Sequence, residues 1–166
     1  MKTDLEALDL KANPWAFSTF DAAVLVPEVQ KLKKGQVYLE VGVDRGKSLS
    51  IARMVAKEGV EVHGVDLRPD PKVSGTFFHR KNSFKFKLGK KVDVIFIDGD
   101  HSYEGCKADI DNWYPQMAKN GVMLFHDCDA SSPGVVQAVE EFVANNKFKD
   151  VYYDPNDRCS MARIRL

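Results

Sequence analysis

The stretch YLEVGVDRGKS, residues 38–48, changes character halfway along. Tyr38, Leu39, Val41 and Val43 make a short β-prone run, Gly42 and Gly46 punctuate a turn, and Ser48 leads into a helical pattern with Leu49, Ala52, Met54 and Val55 as its apolar positions. A strand that passes through a glycine turn into a helix is the opening unit of a sheet wrapped by helices. The turn is one residue short of a phosphate-binding P-loop, because Val41 stands where the first glycine of Gly-x-x-x-x-Gly-Lys-Ser belongs. A dinucleotide loop, Gly-x-Gly-x-x-Gly, fails as well: Asp44 takes its middle glycine position and Lys47 its last. Glu40 and Asp44 put negative charge where a phosphate would sit, softened by Arg45 and Lys47, so the loop suits a cationic ligand better.

Strand and helix patterns keep alternating downstream. Residues 37–43 form the first predicted strand, 48–57 a helix, 60–67 and 76–80 the next two strands, and 92–97, VDVIFI, a continuous apolar run suited to a strand covered on both faces. Ser102 caps a helix with the stripe Tyr103, Cys106, Ile110, Trp113 and Met117, running toward Asn120 and Gly121, with Pro115 bending it or ending it early. Residues 122–125 make the fifth strand, and Pro133 opens a helix carrying Val135, Val136, Val139, Phe142 and Val143. Residues 151–153 and 160–166, joined by DPND, close the sheet as an antiparallel hairpin. The link 66–76, DLRPDPKVSGT, is shorter than the dozen or so residues of a helical crossover, which predicts that the helix between strands 2 and 3 is missing. The expected fold is α/β: a Rossmann-like, open, mostly parallel sheet with a C-terminal antiparallel hairpin. One domain is expected over 1–166, with a helical segment 1–35 ahead of a core 36–166.

Composition narrows the function classes. The 166 residues, 44% hydrophobic and 29% charged, suffice for one core, and a formal net charge of +0 supplies no global attraction to nucleic acid or an anionic membrane. Cys106, Cys128 and Cys159 are odd in number and far apart, which argues against a disulfide framework or a zinc site and for a reducing cytoplasm. The first residues, MKTDLEALDLKANPW, carry acids where a signal peptide needs a basic and then an apolar run. A helix is expected over 21–33, interrupted by Pro27, and Trp15, Phe17 and Phe20 ahead of it either form a lid over a ligand or pack on the sheet edge. His63 and His79 fall inside predicted strands without a partner motif and read as structural.

Ligands of open α/β sheets bind outside the carboxyl ends of the strands. Here those ends carry Glu40 with Gly42, then Asp66, then Asn82 and Ser83, then Asp98 to His101, then His126 with Asp127. In this order YLEVGVDRGKS, VHGVDLRP, VIFIDGDHSYEG and GVMLFHDCD resemble the class I S-adenosylmethionine-dependent methyltransferases, and are most similar to the small-molecule O-methyltransferases of the macrolide-sugar type. The resemblance covers about 37–142 and implies a seven-stranded sheet. It implies that Glu40, Gly42, Asp44, Gly46 and Ser48 lie against the methionine part of S-adenosylmethionine, that Asp66 binds the ribose hydroxyls, and that Asn82 or Ser83 touches the adenine. A carboxylate suits a vicinal diol because it accepts two hydrogen bonds at once. Asp98 corresponds to a residue that approaches the methionine end and, in metal-dependent members, a divalent cation.

The resemblance also makes His101, three residues after Asp98, the general base. An imidazole titrating near neutrality can take a hydroxyl proton, though His101 could equally serve only to start the following helix. Asp98 and Asp127 are candidate ligands for Mg²⁺, with His126 or Asp129 as the third. The expected activity is methylation of a small-molecule hydroxyl, with no nucleic-acid or membrane partner and with a homodimer compatible. Two other readings compete: a non-catalytic S-adenosylmethionine-binding module and a degenerate P-loop nucleotide binder. On the leading one, Lys47 points away from the cofactor.

Overall fold

The computed structural model describes residues 17–153 and 160–166. Along β4 (Val92–Ile97), Val94 and Phe96 face one apolar layer and Ile95 and Ile97 the other, which is why this run is apolar without a break. Around it stand β1 (Val37–Val41), β2 (Glu61–Asp66), β3 (Phe77–Arg80), β5 (Met117–Phe125), β6 (Asp150–Tyr152) and β7 (Ala162–Arg165), in the order β3-β2-β1-β4-β5-β7-β6. The first five strands pair in parallel, whereas β7 is antiparallel to both β5 and β6. Strand order turns back between β1 and β4, and a crevice opens there at their carboxyl ends.

Helices α1 (Thr19–Lys31) and α2 (Lys47–Val55) cover one face through Leu25, Val29, Leu49 and Ala52; α3 (Tyr103–Trp113) and α4 (Pro133–Ala144) cover the other through Ile110, Trp113, Val139 and Phe142. As expected, no helix joins β2 to β3. Its place is taken by an irregular link that packs on the start of α2, so closely that a Cβ at Gly46 would lie 2.7 Å from Val73 Cγ2.

Two boundaries differ from expectation for identifiable reasons. Helix α3 stops at Trp113, a single 3-10 turn follows over Tyr114–Gln116, and Met117 begins β5 rather than ending a helix. Pro115 has no N–H to continue the helical ladder, and the exposed Lys119 and Asn120 hid the start of the strand from an apolar reading. Helix α1, in contrast, continues through Pro27 instead of breaking there. It is anchored at both ends. Ser18 and Asp21 form a capping box at its start. Farther along, the buried Glu28 accepts two hydrogen bonds from Arg165 of β7, at 3.0 and 2.5 Å, and one from Lys31 at 3.1 Å.

His63 and His79 do have partners: His63 Nδ1 meets His79 Nε2 at 3.0 Å, and His63 Nε2 meets Glu61 at 3.1 Å. Neither borders the crevice, in keeping with a structural role. Among the described residues no helix is long and apolar enough to cross a membrane. Trp15 and Cys159 lie outside the described residues.

Candidate active site

Three strands meet at Gly42. Its N–H donates to Val65 of β2 at 3.0 Å, and the neighbouring Val41 carbonyl accepts from Asp98 N–H at 2.8 Å. Gly42 has φ +81°, and a Cβ there would lie 1.9 Å from the Asp98 carbonyl oxygen. The turn that follows includes a second left-handed residue, Asp44, with φ 45°. Asp66 holds this turn in place: its carboxylate accepts from the N–H groups of Val43 at 2.7 Å, Asp44 at 2.8 Å and Arg68 at 2.8 Å.

The loop is less acidic than its sequence suggests. Glu40 is fully buried beneath it, accepting from Tyr38 Oη at 2.8 Å and Ser48 Oγ at 2.7 Å, and does not border the crevice. Burial pushes its carboxyl up to about 8, against the pull of the two donors. Asp44 pairs with Arg68. Gly42, Asp44, Ser48 and Asp66 border the crevice, whereas Gly46 lies behind it with φ +80° as the cap of α2. Lys47 also borders the crevice.

Asn82 and Ser83 follow β3 on the same wall, and helix α3 grips them. Asp109 accepts from Ser83 Oγ at 2.5 Å, and Asn112 Nδ2 donates to the carbonyls of Ser83 at 2.8 Å and Phe86 at 2.9 Å. The Asn82 Oδ1 atom is buried with no partner among the described residues. Asp109 is itself buried; burial raises its carboxyl to about 6, the Ser83 bond opposing and the charge of Asp100 assisting. Sequence reasoning missed Asp109 and Asn112. The available signal was two polar residues directly beside Ile110 and Trp113 on the inward stripe of an amphipathic helix.

The reacting groups gather at the ends of β4 and β5. Ser102 caps α3 by accepting from Gly105 N–H, and His101 stands just before it with its side chain about half exposed. His101 Nε2 lies 3.1 Å from Asp127 Oδ2 and 3.6 Å from Asp98 Oδ1. Asp98 and then Asp127 raise its pKa above the ordinary imidazole value, partly offset by burial; Asp127 is the closer in space, and the two carboxylates act as one shared partner. Asp127 takes φ 51°, a left-handed conformation that a non-glycine residue adopts at a cost. Behind His101, Gly134 of α4 packs so tightly that a Cβ would sit 2.8 Å from the His101 carbonyl oxygen.

His126, expected as a tentative further metal ligand, is buried between the reacting carboxylates and the first turn of α1. Its Nδ1 faces Asp127 at 3.0 Å and Asp98 at 3.3 Å, and its Nε2 faces Asp21 at 3.3 Å. Burial lowers the pKa of this imidazole, but Asp127, Asp21 and Asp98 together more than reverse that and push it up to about 12. Cys128 is buried with its thiol pushed up to about 12 by burial, and Asp129 is engaged by Ser131 N–H at 2.7 Å and Oγ at 2.6 Å. The ligand atoms that do approach one another, all within 4.8 Å, belong to Asp98, His101 and Asp127. The crevice they border has a volume of about 760 Å³, in the range of small-molecule sites. Phe17 lines it while packing edge-on to Phe96 at 5.9 Å, so it both seals the core and borders the cavity. Phe20 is largely exposed.

Solved structures with similar folds include the N-methyltransferase NodS from Bradyrhizobium japonicum, in complex with S-adenosylhomocysteine (TM-score 0.68, 17% identity, 96% of each chain covered). The O-methyltransferase NovP is also similar (TM-score 0.66, 17% identity, 89% of this chain and 80% of that one). So is a putative rRNA-methylase from Clostridium thermocellum (TM-score 0.67, 12% identity, 88% and 97%). At these identities the likeness is one of fold, the class I methyltransferase fold. An uncharacterised protein of Acanthamoeba polyphaga mimivirus is 38% identical over 60 residues, 35% of this chain and 27% of that protein. Another, from Sinorhizobium fredii, is 42% identical over 43 residues, 26% of this chain and 5% of its own length. The chain thus spans only a small part of the curated relatives it matches. The family described as a methyltransferase domain matches residues 39–128, from within β1 past the end of β5 and over more than half of the sequence, and the chain belongs to that family.

Proposed function

We propose that the chain transfers the methyl group of S-adenosylmethionine to a hydroxyl oxygen of a small-molecule acceptor, with His101 as general base. The observation that carries this reading is the approach of His101 Nε2 to Asp127 at 3.1 Å and Asp98 at 3.6 Å on the wall of the crevice. S-adenosylmethionine, when bound, supplies an electrophilic methyl group on a positively charged sulfur. The residues present fit it. Asp66 spends three acceptor positions on backbone N–H groups, and a carboxylate has about four, which leaves capacity for a ribose hydroxyl. Leu67 and Phe84, 66% and 43% exposed, offer apolar surface on the same wall to a purine, and the unpartnered Asn82 Oδ1 is an acceptor beside them. With Nε2–H directed at the carboxylates, His101 keeps its lone pair on Nδ1, the atom that would take the acceptor's proton.

Calorimetric titration tests the cofactor. S-adenosylmethionine should bind saturably and ATP should not; the reverse result would sink the reading. Asp66→Ala should weaken S-adenosylmethionine binding roughly 10- to 100-fold, the scale of losing hydrogen bonds to a charged group together with the order they impose on the loop.

A divalent cation is the second element of the proposal. Asp98 and Asp127 offer hard oxygens on adjacent strand ends, a donor set that suits Mg²⁺ with waters completing its shell. They would hold the ion, which when bound lowers the pKa of an acceptor hydroxyl. Once an acceptor is identified by release of S-adenosylhomocysteine, EDTA should reduce turnover at least about tenfold, with Mg²⁺ restoring it. Undiminished turnover in EDTA would remove the ion from the proposal and leave His101 with its two carboxylates.

A further inference from the structure

His126 is buried at the edge of the crevice, with partners on both edges and both faces of its ring. The Phe17 ring stacks on it at 6.0 Å, Phe96 meets it edge-on at 5.9 Å, Asp127 and Asp98 face Nδ1, and Asp21 faces Nε2. Asp21 belongs to the first turn of α1, on an element remote in sequence from the strand ends. Its carboxylate is pinned before it reaches His126: Oδ2 accepts from Ser18 N–H at 2.6 Å and Ser18 Oγ at 2.7 Å, and Ser160 Oγ approaches Oδ1 at 3.5 Å. A capping box works well at a helix start open to water, but Asp21 is only 3% exposed, and a buried carboxylate is costly unless it is paired. His126 is that pair, in an ionic contact longer and less well aligned than a hydrogen bond.

We propose that Asp21 is a positioning residue: by holding the Nε2 edge of His126 it turns Nδ1 toward Asp98 and Asp127, and so sets the direction of the two carboxylates that meet His101. The first turn of α1 is then part of the reacting end, through the contact chain Asp21, His126, Asp98 with Asp127, His101. The functional meaning rests on the reading of His101 as base; the geometry can be tested without it.

The test is long-range nitrogen–proton correlation spectroscopy of the histidine side chains in the free protein, with His126 assigned from a His126→Asn variant. Asp21→Asn should shift the ring resonances of both His126 and His101. Ser18→Ala, which removes the hydroxyl bond to the Asp21 carboxylate but keeps the Ser18 N–H bond and the charge, should lower stability and move both sets much less than Asp21→Asn does. Unmoved resonances in Asp21→Asn, or equal movement in Ser18→Ala, would overturn the positioning role. Should Asp21→Asn not fold, Asp21→Glu, which keeps the charge and displaces the carboxylate, should produce the same shifts, and unmoved resonances there overturn the role equally. Calorimetry on the unaltered protein separates the two levels: failure to bind S-adenosylmethionine defeats the methyl-transfer reading and leaves the resonance result standing on its own.

Discussion

Replacing His101 with alanine should lower methyl-transfer turnover by roughly 10² to 10⁴ while leaving S-adenosylmethionine affinity unchanged. The asymmetry follows from placement. On the proposed reading the residues that would hold the ribose and adenine follow β2 and β3, whereas His101 stands after β4 with its Nε2 directed at Asp127 and Asp98. The pH profile adds a second check. Asp98, with Asp127 assisting, holds the imidazole protonated to higher pH than its ordinary 6.5, so the rate in the unaltered protein should rise with pH through that elevated pKa. Stability runs the other way. A raised pKa contributes to folding below the unfolded value, and that contribution fades as pH rises through the folded one. Alanine removes both trends, and added imidazole should partly restore the rate. Unchanged turnover in the variant would end the proton-transfer role of His101.

Gly42→Ala should cost about 3 kcal/mol of folding stability, read from urea unfolding. Two penalties combine. A positive φ is unfavourable for alanine, and the new methyl would enter the Asp98 carbonyl at the point where β1, β2 and β4 are joined by backbone hydrogen bonds. Gly35→Ala isolates the first penalty, because Gly35 has φ +85° but nothing within 4 Å of a Cβ; it should cost only about 1 kcal/mol. Equal losses in the two variants would show that the close approach to Asp98 is relieved at no cost. Since the displaced backbone is that of Asp98, the alanine variant should also lose cofactor affinity, which Gly35→Ala should keep.

Much of the architecture was legible because it depends on local chemistry. The run at Val92–Ile97 announces a strand covered on both faces, the β2–β3 link is too short for a crossover helix, and the acids and glycines at the strand ends lie where an open sheet collects its ligands. What stayed hidden depends on which elements come together. Nothing near Glu40 in sequence says that Tyr38 and Ser48 will draw it into the core, because a lone glutamate at a strand end looks solvated. Nothing around His126 in the sequence says that α1 will bring Asp21 against the far edge of its ring. Asp109 and Asn112 look like ordinary polar helix residues until the turn after β3 packs under them. Single residues with several plausible jobs were therefore the weak points, and ordered motifs spread along the sheet were the strong ones.

The clasp between Glu28 and Arg165 joins partners 137 positions apart in the chain. A ribosome adding about 5 to 20 residues per second needs on the order of ten seconds to cover that interval. Throughout it α1 has been made but lacks the guanidinium it will eventually hold, and Asp21 likewise waits for His126 and Ser160. The parallel strands β1 to β4 all emerge in that time and can pair before their covering helix has a permanent seat. Closure of the clasp is thus a late event in biogenesis, possible only after β7 has left the exit tunnel.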